Sequence, residues 1–237
     1  MSTMDSEINK IIPLINNKML HSKGGRDYYT GTINNINVIV AKSEIGKVAS
    51  AITTTTMIET FNIDQLIFTG VAGTPDKNIN IGDLVVATDL FQHDMDCRPF
   101  YDKQVMPVLG IKYFQSNERL NNILINNQKK FLNSIKNINI QNPRIHQGII
   151  ASGDQFINCP EDAKQACNGD LVLALEMEGA AVAHVCHDYK IPFCVLRSIS
   201  DNANTKSEVD YFAFVEDIAS TYSKELINLY TIELNKN

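Results

Sequence analysis

The sequence predicts an α/β fold in three layers, with a central mixed, largely parallel, twisted sheet covered by helices on both faces. Short apolar runs suited to buried strands recur over residues 65–70, 81–90, 148–156, 171–178 and 191–200. Between them lie stretches whose apolar residues are spaced by three and four, as a helix packed on a sheet requires. The runs also end in charged or small residues. Glu176 and Glu178 close one, Arg197 and Asp201 another, and Val71, Ala72 and Gly73 follow a third. A buried strand needs no charge, and ligands of α/β sheets gather beyond the carboxyl ends of strands, so these residues mark a site.

Composition narrows the class. With 237 residues, 44% of them hydrophobic and 20% charged, the chain can bury a sizeable core and reads as a single domain over residues 1–237. The formal charge of -6 gives no basic footprint, which argues against a nucleic-acid partner. No apolar run reaches the roughly 18 residues of a membrane span, and the opening MSTMDSEINK lacks an apolar signal core. Cys97, Cys159, Cys167, Cys186 and Cys194 are odd in number and show no CxxC spacing, which suits free thiols in a reducing cytoplasm.

In chain order, Ile8, Ile11, Ile12 and Ile15 predict a helix over residues 6–17, kinked or shortened by Pro13. Glu7 falls in its first turn, where free amides favour an acid and a solvated carboxylate is the ordinary outcome. Residues 31–41 alternate around Asn34 and Asn35 and read as a hairpin. Residues 44–61 predict a helix despite the β-branched Thr53, Thr54, Thr55 and Thr56. The strand at 65–70 runs into Val71, Ala72 and Gly73, small enough for a ligand to approach the backbone or for a tight turn. TGVAG is neither GxGxxG nor a P-loop. His93, Asp94 and Asp96 after the next strand lack the spacing of a metal site, so no metal is expected.

Residues 98–114 read as a long loop, 117–135 as an amphipathic helix, and Phe156 as a ring just past a strand that breaks at Ser152, Gly153 and Asp154. Alternation over 171–178 puts Glu176 and Glu178 on one face with Met177 opposite. Glu178 then opens a helix starting at Gly179, which it either caps or leaves to serve a ligand, and Val182, Val185, Cys186 and Tyr189 face its core side. Residues 191–200 form the next strand, with Asp201 at its tip as a turn cap or an acid. Residues 210–234 form a closing amphipathic helix.

IGKV (45–48), TGVAG (69–73), SGDQF (152–156), EMEGAAVAHVC (176–186) and RSISDNA (197–203) occur in an order and spacing that resemble the bacterial 5′-methylthioadenosine/S-adenosylhomocysteine nucleosidases, of the nucleoside phosphorylase-like superfamily. The resemblance runs from about residue 4 to the C-terminal helix. It implies hydrolysis of the bond between adenine and a 5′-thio-substituted ribose through an oxocarbenium-like transition state, without a cofactor. Such chemistry needs an acid for the leaving purine, a base for water, and negative charge near the cationic ribose. By resemblance the acid is Asp201, positioned by Ser200, and its carboxyl must rise above its usual ~3.9 to donate near neutrality. Glu178 matches the ribose-binding carboxylate, with Met177 packing on the sugar. Glu7 matches the residue that activates water, and Arg197 the one that helps hold it. Phe156 matches the ring stacked on adenine, with the Ile157 backbone reading the base edge. Ile45, Val71, Ala72, Gly73 and Tyr211 match further substrate-binding positions.

Two departures stand out. The family opens with an apolar strand ending in Gly-Ala-Met or Ser-Ala-Met; here only Ser2, Thr3 and Met4 match, so the first strand is expected to be missing and Glu7 to sit near a frayed end. Val71 replaces a frequent Ser, which leaves the 5′-group open: 5′-deoxyadenosine, or aminofutalosine of menaquinone synthesis, stand beside the thio-nucleosides. The resemblance also implies a homodimer in which a partner loop, here 98–107 with Phe100 and Pro107, closes the alkylthio end across more than about 1,200 Å². A phosphorolytic phosphorylase, which needs cationic phosphate ligands from a chain with few arginines, and a non-catalytic adenosine-binding protein are the alternatives.

Overall fold

The computed structural model describes residues 1–138, 140, 142–204, 214 and 218–236. Where the isoleucine spacing predicts a helix over 6–17, the chain forms one short helix, α1 (Asp5–Ile8), and a 3-10 turn (Ile12–Leu14). Pro13 has no N–H to give and crowds the preceding turn, so the helix stops. Ile8, Ile11 and Ile15 pack instead with Ile33 and Val40 in a small separate core. The polar stretch NNKMLHSK then forms β1 (Asn16–Lys23), an exposed edge strand that no apolar alternation announces. It pairs antiparallel with β2 (Arg26–Ile33), which pairs with β3 (Ile36–Ala41). Asn34 and Asn35 turn between them at φ 49° and 63°, the positive values a two-residue hairpin loop demands.

Helix α2 (Lys47–Phe61) accommodates its threonine run by returning hydroxyls to carbonyls one turn back. Thr53 donates to Ala49 at 3.1 Å, Thr54 to Ser50 at 2.8 Å and Thr56 to Ile52 at 2.9 Å. The remaining elements are β4 (Leu66–Gly73), β5 (Leu84–Gln92), β6 (Phe114–Gln115), α3 (Glu118–Asn126), α4 (Gln128–Ser134), β7 (Ile145–Ser152), α5 (Pro160–Cys167), β8 (Val172–Glu176), α6 (Gly179–Tyr189), β9 (Phe193–Asp201) and α7 (Ser220–Leu234). The helix expected over 117–135 is two helices, because Asn127 takes φ -115° and interrupts the ladder. On α6, Val182 and Cys186 are fully buried as expected, whereas Tyr189 at the helix end is 41% exposed.

The six strands from β4 to β9 are ordered β6-β5-β7-β8-β4-β9, and β9 pairs a second time with β5. Pairs β5–β7, β7–β8 and β4–β9 are parallel, while β5–β6, β4–β8 and β5–β9 are antiparallel. The central sheet is therefore more than a twisted layer. Among the described residues β5, β7, β8, β4 and β9 close into a ring, as accumulated strand twist allows, and the ring leaves β9 no free edge. One core packs this sheet against α2 and α6 through Met57, Phe68, Val182 and Val195. Another packs it against α3, α4 and α7 through Leu124, Phe131, Leu196 and Leu226.

Residues 1–3 run extended between β3 and β4. Ser2 bridges Lys42 in parallel, while the Met1 nitrogen donates to Ile67 at 2.9 Å and its carbonyl accepts from Thr69 at 3.0 Å. This short stretch ties the hairpin sheet to the ring. It also holds α1 down, so Glu7, expected near a frayed end, is 0% exposed.

The seat of α7 is testable. Tyr222 is 1% exposed and its hydroxyl donates to the Gly82 carbonyl at 2.6 Å. Tyr222→Phe keeps the ring and removes that bond, which should cost about 1 kcal/mol and lower the thermal midpoint by about 2–4 °C. An unchanged midpoint would show that ring packing alone seats the helix.

Candidate active site

Strands β4 and β9 run parallel in a register that sets Gly73 beside Asp201, and β8 ends alongside them with Gly73 opposite Leu175. A cavity of about 460 Å³ opens at these strand ends, a size that suits a small molecule. Its lining includes Val71, Ala72 and Gly73 from β4, Ser200 and Asp201 from β9, and Met177 and Glu178 from the β8–α6 junction. Glu7 from α1, Ile45 from the loop before α2, and Phe156 from the loop after β7 complete the expected set.

The organising contact lies behind the cavity. Arg197 is 0% exposed, and its Nε and Nη2 donate to Glu176 Oε2 at 3.1 and 2.6 Å. Its guanidinium also lies over the Phe68 ring, 4.1 Å from the centroid. Glu176 accepts further from the Glu178 and Gly179 backbone N–H groups at 3.1 and 2.8 Å, and from the Ser152 hydroxyl. Ser152 in turn accepts from Ala180 N at 2.7 Å. Glu176, which the sequence marked without assigning it a role, thus caps α6. Glu178 makes no capping bond and is left for the cavity.

Four carboxyl groups line that space; Glu176 is committed to Arg197, and the other three stand in different settings. Glu178 is 5% exposed, and its Oε1 accepts from Gly46 N at 2.9 Å. Burial, reinforced by the neighbouring Glu176 charge, pushes its pKa up to about 8 against the pull of Arg197. Glu7 Oε2 accepts from Thr3 N and Met4 N at 2.7 and 2.9 Å, while Oε1 has no hydrogen-bond partner among the described residues. Burial raises the Glu7 carboxyl as well. Asp201, 2% exposed, accepts from Ala203 N at 2.9 Å, so it does cap the following turn. Ser200 Oγ lies 2.9 Å from Asp201 Oδ2 and 3.3 Å from the Ala72 carbonyl, with one proton to offer them.

Other expected residues fall elsewhere. Arg197 is not part of the lining; its Nη1 and Glu7 Oε1 instead lie 2.7 and 3.3 Å from where a side chain on Gly70 would begin. The Ile157 side chain is buried with Phe91, Ala151 and Val172 rather than in the cavity. Phe100 and Pro107, expected at a partner's pocket, lie outside this chain's own cavity, and Phe100 is 87% exposed. Tyr211 lies outside the described residues. Thr3, Met4, Asn158 and Leu175 also line the cavity. Of these only Asn158 had a readable signal, standing two residues beyond Phe156 in the same loop. His93, Asp94 and Asp96 do not converge. Asp94 bonds Lys47 at 2.6 Å, Asp96 bonds Arg98 at 2.5 Å, and among the described residues no cluster of His, Cys, Asp and Glu could hold a metal. No described helix is long and apolar enough to cross a membrane.

The closed mixed sheet gathers its acids at the strand ends, and residues 3–231 match the profile of the phosphorylase superfamily. The chain belongs to that superfamily, within its group of nucleosidases. It is 40% identical over 204 residues to an aminodeoxyfutalosine nucleosidase of Helicobacter pylori strain J99, covering 86% of this chain and 84% of the relative. It is 35% identical over 236 residues to a 5′-methylthioadenosine/S-adenosylhomocysteine nucleosidase of Anoxybacillus flavithermus, covering 98% and 97%. The crystal structure of the Neisseria meningitidis 5′-methylthioadenosine/S-adenosylhomocysteine nucleosidase with methylthio-immucillin-A superposes with a TM-score of 0.89 at 29% identity, covering 98% of this chain and 96% of that one.

Removing one partner of the buried pair should be severe. Glu176→Gln leaves the buried Arg197 only its longer pairing with Glu178 Oε2 at 3.9 Å, at a cost of about 3 kcal/mol. The thermal midpoint should fall by about 10 °C. A fall of only a degree or two would mean that the pair does not organise the site.

Proposed function

We propose that this chain hydrolyses the N-glycosidic bond of 5′-methylthioadenosine and S-adenosylhomocysteine, releasing adenine and the 5′-substituted ribose. The observation that carries the reading is that one cavity gathers Asp201, Glu178 and the free Oε1 of Glu7, three buried carboxyl groups in three different settings. The nucleosidase relatives support the same class.

Asp201 gives its proton to the five-membered ring of adenine as the glycosidic bond breaks and its electron pair stays with the purine. Ser200 orients that carboxyl. Glu178, ionised, grips the ribose hydroxyls and offsets the charge of the oxocarbenium ion, while Met177 packs on the sugar. Glu7 takes a proton from water as the oxygen attacks the anomeric carbon. Two backbone N–H groups fix its Oε2, so Oε1 is the oxygen left to accept. Arg197 acts from behind by holding Glu176 and standing near that oxygen. Phe156, 47% exposed at the rim, stacks on the base, and the Ile157 backbone reads the base edge.

The active form we propose is a cytoplasmic homodimer. Ile45, Val48 and Ile52 expose an apolar face beside the cavity at 59%, 71% and 45%, and the 98–107 loop presents Phe100 to close a partner's pocket. All five cysteines are free, in keeping with a reducing compartment.

Adenine release from 5′-methylthioadenosine should proceed without phosphate and be unchanged by adding it; release only with phosphate would make the enzyme a phosphorylase and remove Glu7 from the mechanism. Asp201→Asn should lower kcat by about 10²–10⁴-fold. Because Glu178 acts ionised and its pKa is raised to about 8, kcat/KM should climb as pH rises through 8 and level about one unit above it. Glu178→Gln should abolish that limb, and a flat wild-type profile over this range would exclude the assigned role.

A further inference from the structure

Glu178 and Phe156 must both be placed to grip a nucleoside, and both lie just beyond strand ends. The sheet holds the Glu178 backbone through Glu176, its Oε1 takes its hydrogen bond from the Gly46 N–H, and Phe156 belongs to the loop after β7. Outside the cavity a closed circuit of hydrogen bonds joins the two supports. Lys47 N donates to Asp154 Oδ1 at 2.8 Å. Its ammonium donates to Asp94 Oδ1 at 2.6 Å and Gln92 Oε1 at 3.1 Å. The other Asp94 oxygen accepts from Asp154 N at 3.0 Å. The circuit links the start of α2, the end of β5 and the loop that carries Phe156, and none of its four residues lines the cavity.

The local backbone is shaped to this circuit. Gly46 has φ 95°, and a side chain there would begin 3.1 Å from Asp154 Oδ1, so only glycine lets its N–H reach Glu178 while the next residue reaches Asp154. The Lys47 and Asp94 side chains are 17% and 24% exposed, so water screens this pair less than a surface pair. Burial opposes ionisation of Asp94, yet the bond from Lys47 holds its carboxyl below the ordinary range.

We infer that Lys47, clamped between Asp94 and Asp154, is a positioning residue that sets Glu178 through the adjoining Gly46 N–H and Phe156 through the loop of Asp154. The inference deepens the hydrolase reading and rests on it. Its signature is a loss in kcat/KM carried mostly by KM, because the circuit aligns two walls of the pocket and touches no reacting atom, with a smaller loss in kcat because one wall bears the carboxylate that offsets the oxocarbenium charge.

The test measures kcat and KM for adenine release from 5′-methylthioadenosine, with thermal midpoints, for the full chain and its variants. Lys47→Met and Asp94→Asn should each raise KM about tenfold and lower kcat less than about threefold, as expected for loss of a charge-assisted hydrogen bond. The double variant should be no worse than Lys47→Met alone, since both changes open the same circuit. Lys47→Arg, which keeps a cation, should hold KM within about threefold of wild type. Wild-type KM in both single variants would overturn the inference. So would penalties that multiply in the double variant, or a fall in midpoint with kcat and KM changing together and no rescue by arginine. If wild-type protein releases no adenine, the hydrolase reading falls. Titration of the same variants with adenine then decides the clamp by the same pattern of losses.

Discussion

A buried guanidinium is the constraint from which the site follows. Arg197 has no exposed surface, and a charge in that setting must be met by an opposite charge and by hydrogen bonds. Glu176 meets it, and in doing so draws together β8, β9, the Ser152 end of β7 and the first amides of α6. The pairing occupies Glu176 and leaves its neighbour, Glu178, close to a fixed negative charge away from water. That is why burial and Glu176 together raise the Glu178 carboxyl while Arg197 only partly offsets them. One salt bridge therefore fixes the geometry of the strand ends and sets the electrostatics of the cavity.

The small residues of TGVAG serve the protein's own side chains. A side chain on Gly70 would begin 2.7 Å from Arg197 Nη1, and one on Gly73 would begin 2.5 Å from Asp201 Oδ1. The bare backbone of β4 lets the arginine and the acid of β9 lie across it. Val71 and Ala72 between them also line the cavity. The sequence alone supports close approach by a ligand or a tight turn; the structure assigns the close approach to residues of the neighbouring strand.

What the sequence made legible was local. Apolar runs marked β4, β5, β7, β8 and β9, because a strand buried on both faces writes its environment into every residue. Acids at the ends of such runs stood out because burial disfavours them. β1 left no trace, since a polar edge strand need not alternate. The closure of β9 onto β5 was equally silent, because Leu84 and Ser198 pair across more than a hundred residues with no local mark. The isoleucine spacing predicts a longer early helix than the one that forms, because Pro13 interrupts it and those isoleucines find partners on the hairpin instead. In the site, the resemblance pointed to acids that line one cavity; around them Arg197 is bound to Glu176, and Ile157 buries its side chain in a core and leaves its backbone for the base.

The double pairing of β9 gives the cavity walls unequal mechanical character. Through Leu196, Arg197 and Ser198, β9 is hydrogen-bonded to β4 on one side and to β5 on the other, so Ser200 and Asp201 extend from a doubly paired stretch that cannot peel from an edge. Its amides exchange with solvent only when the ring itself opens, which places the strand among the last parts of the molecule to unfold locally. The loops bearing Ile45 and Phe156 have no ladder behind them and are held instead by the side chains of Asp94, Asp154 and Glu178. One wall of the cavity is therefore set by backbone pairing and the other by side-chain hydrogen bonds.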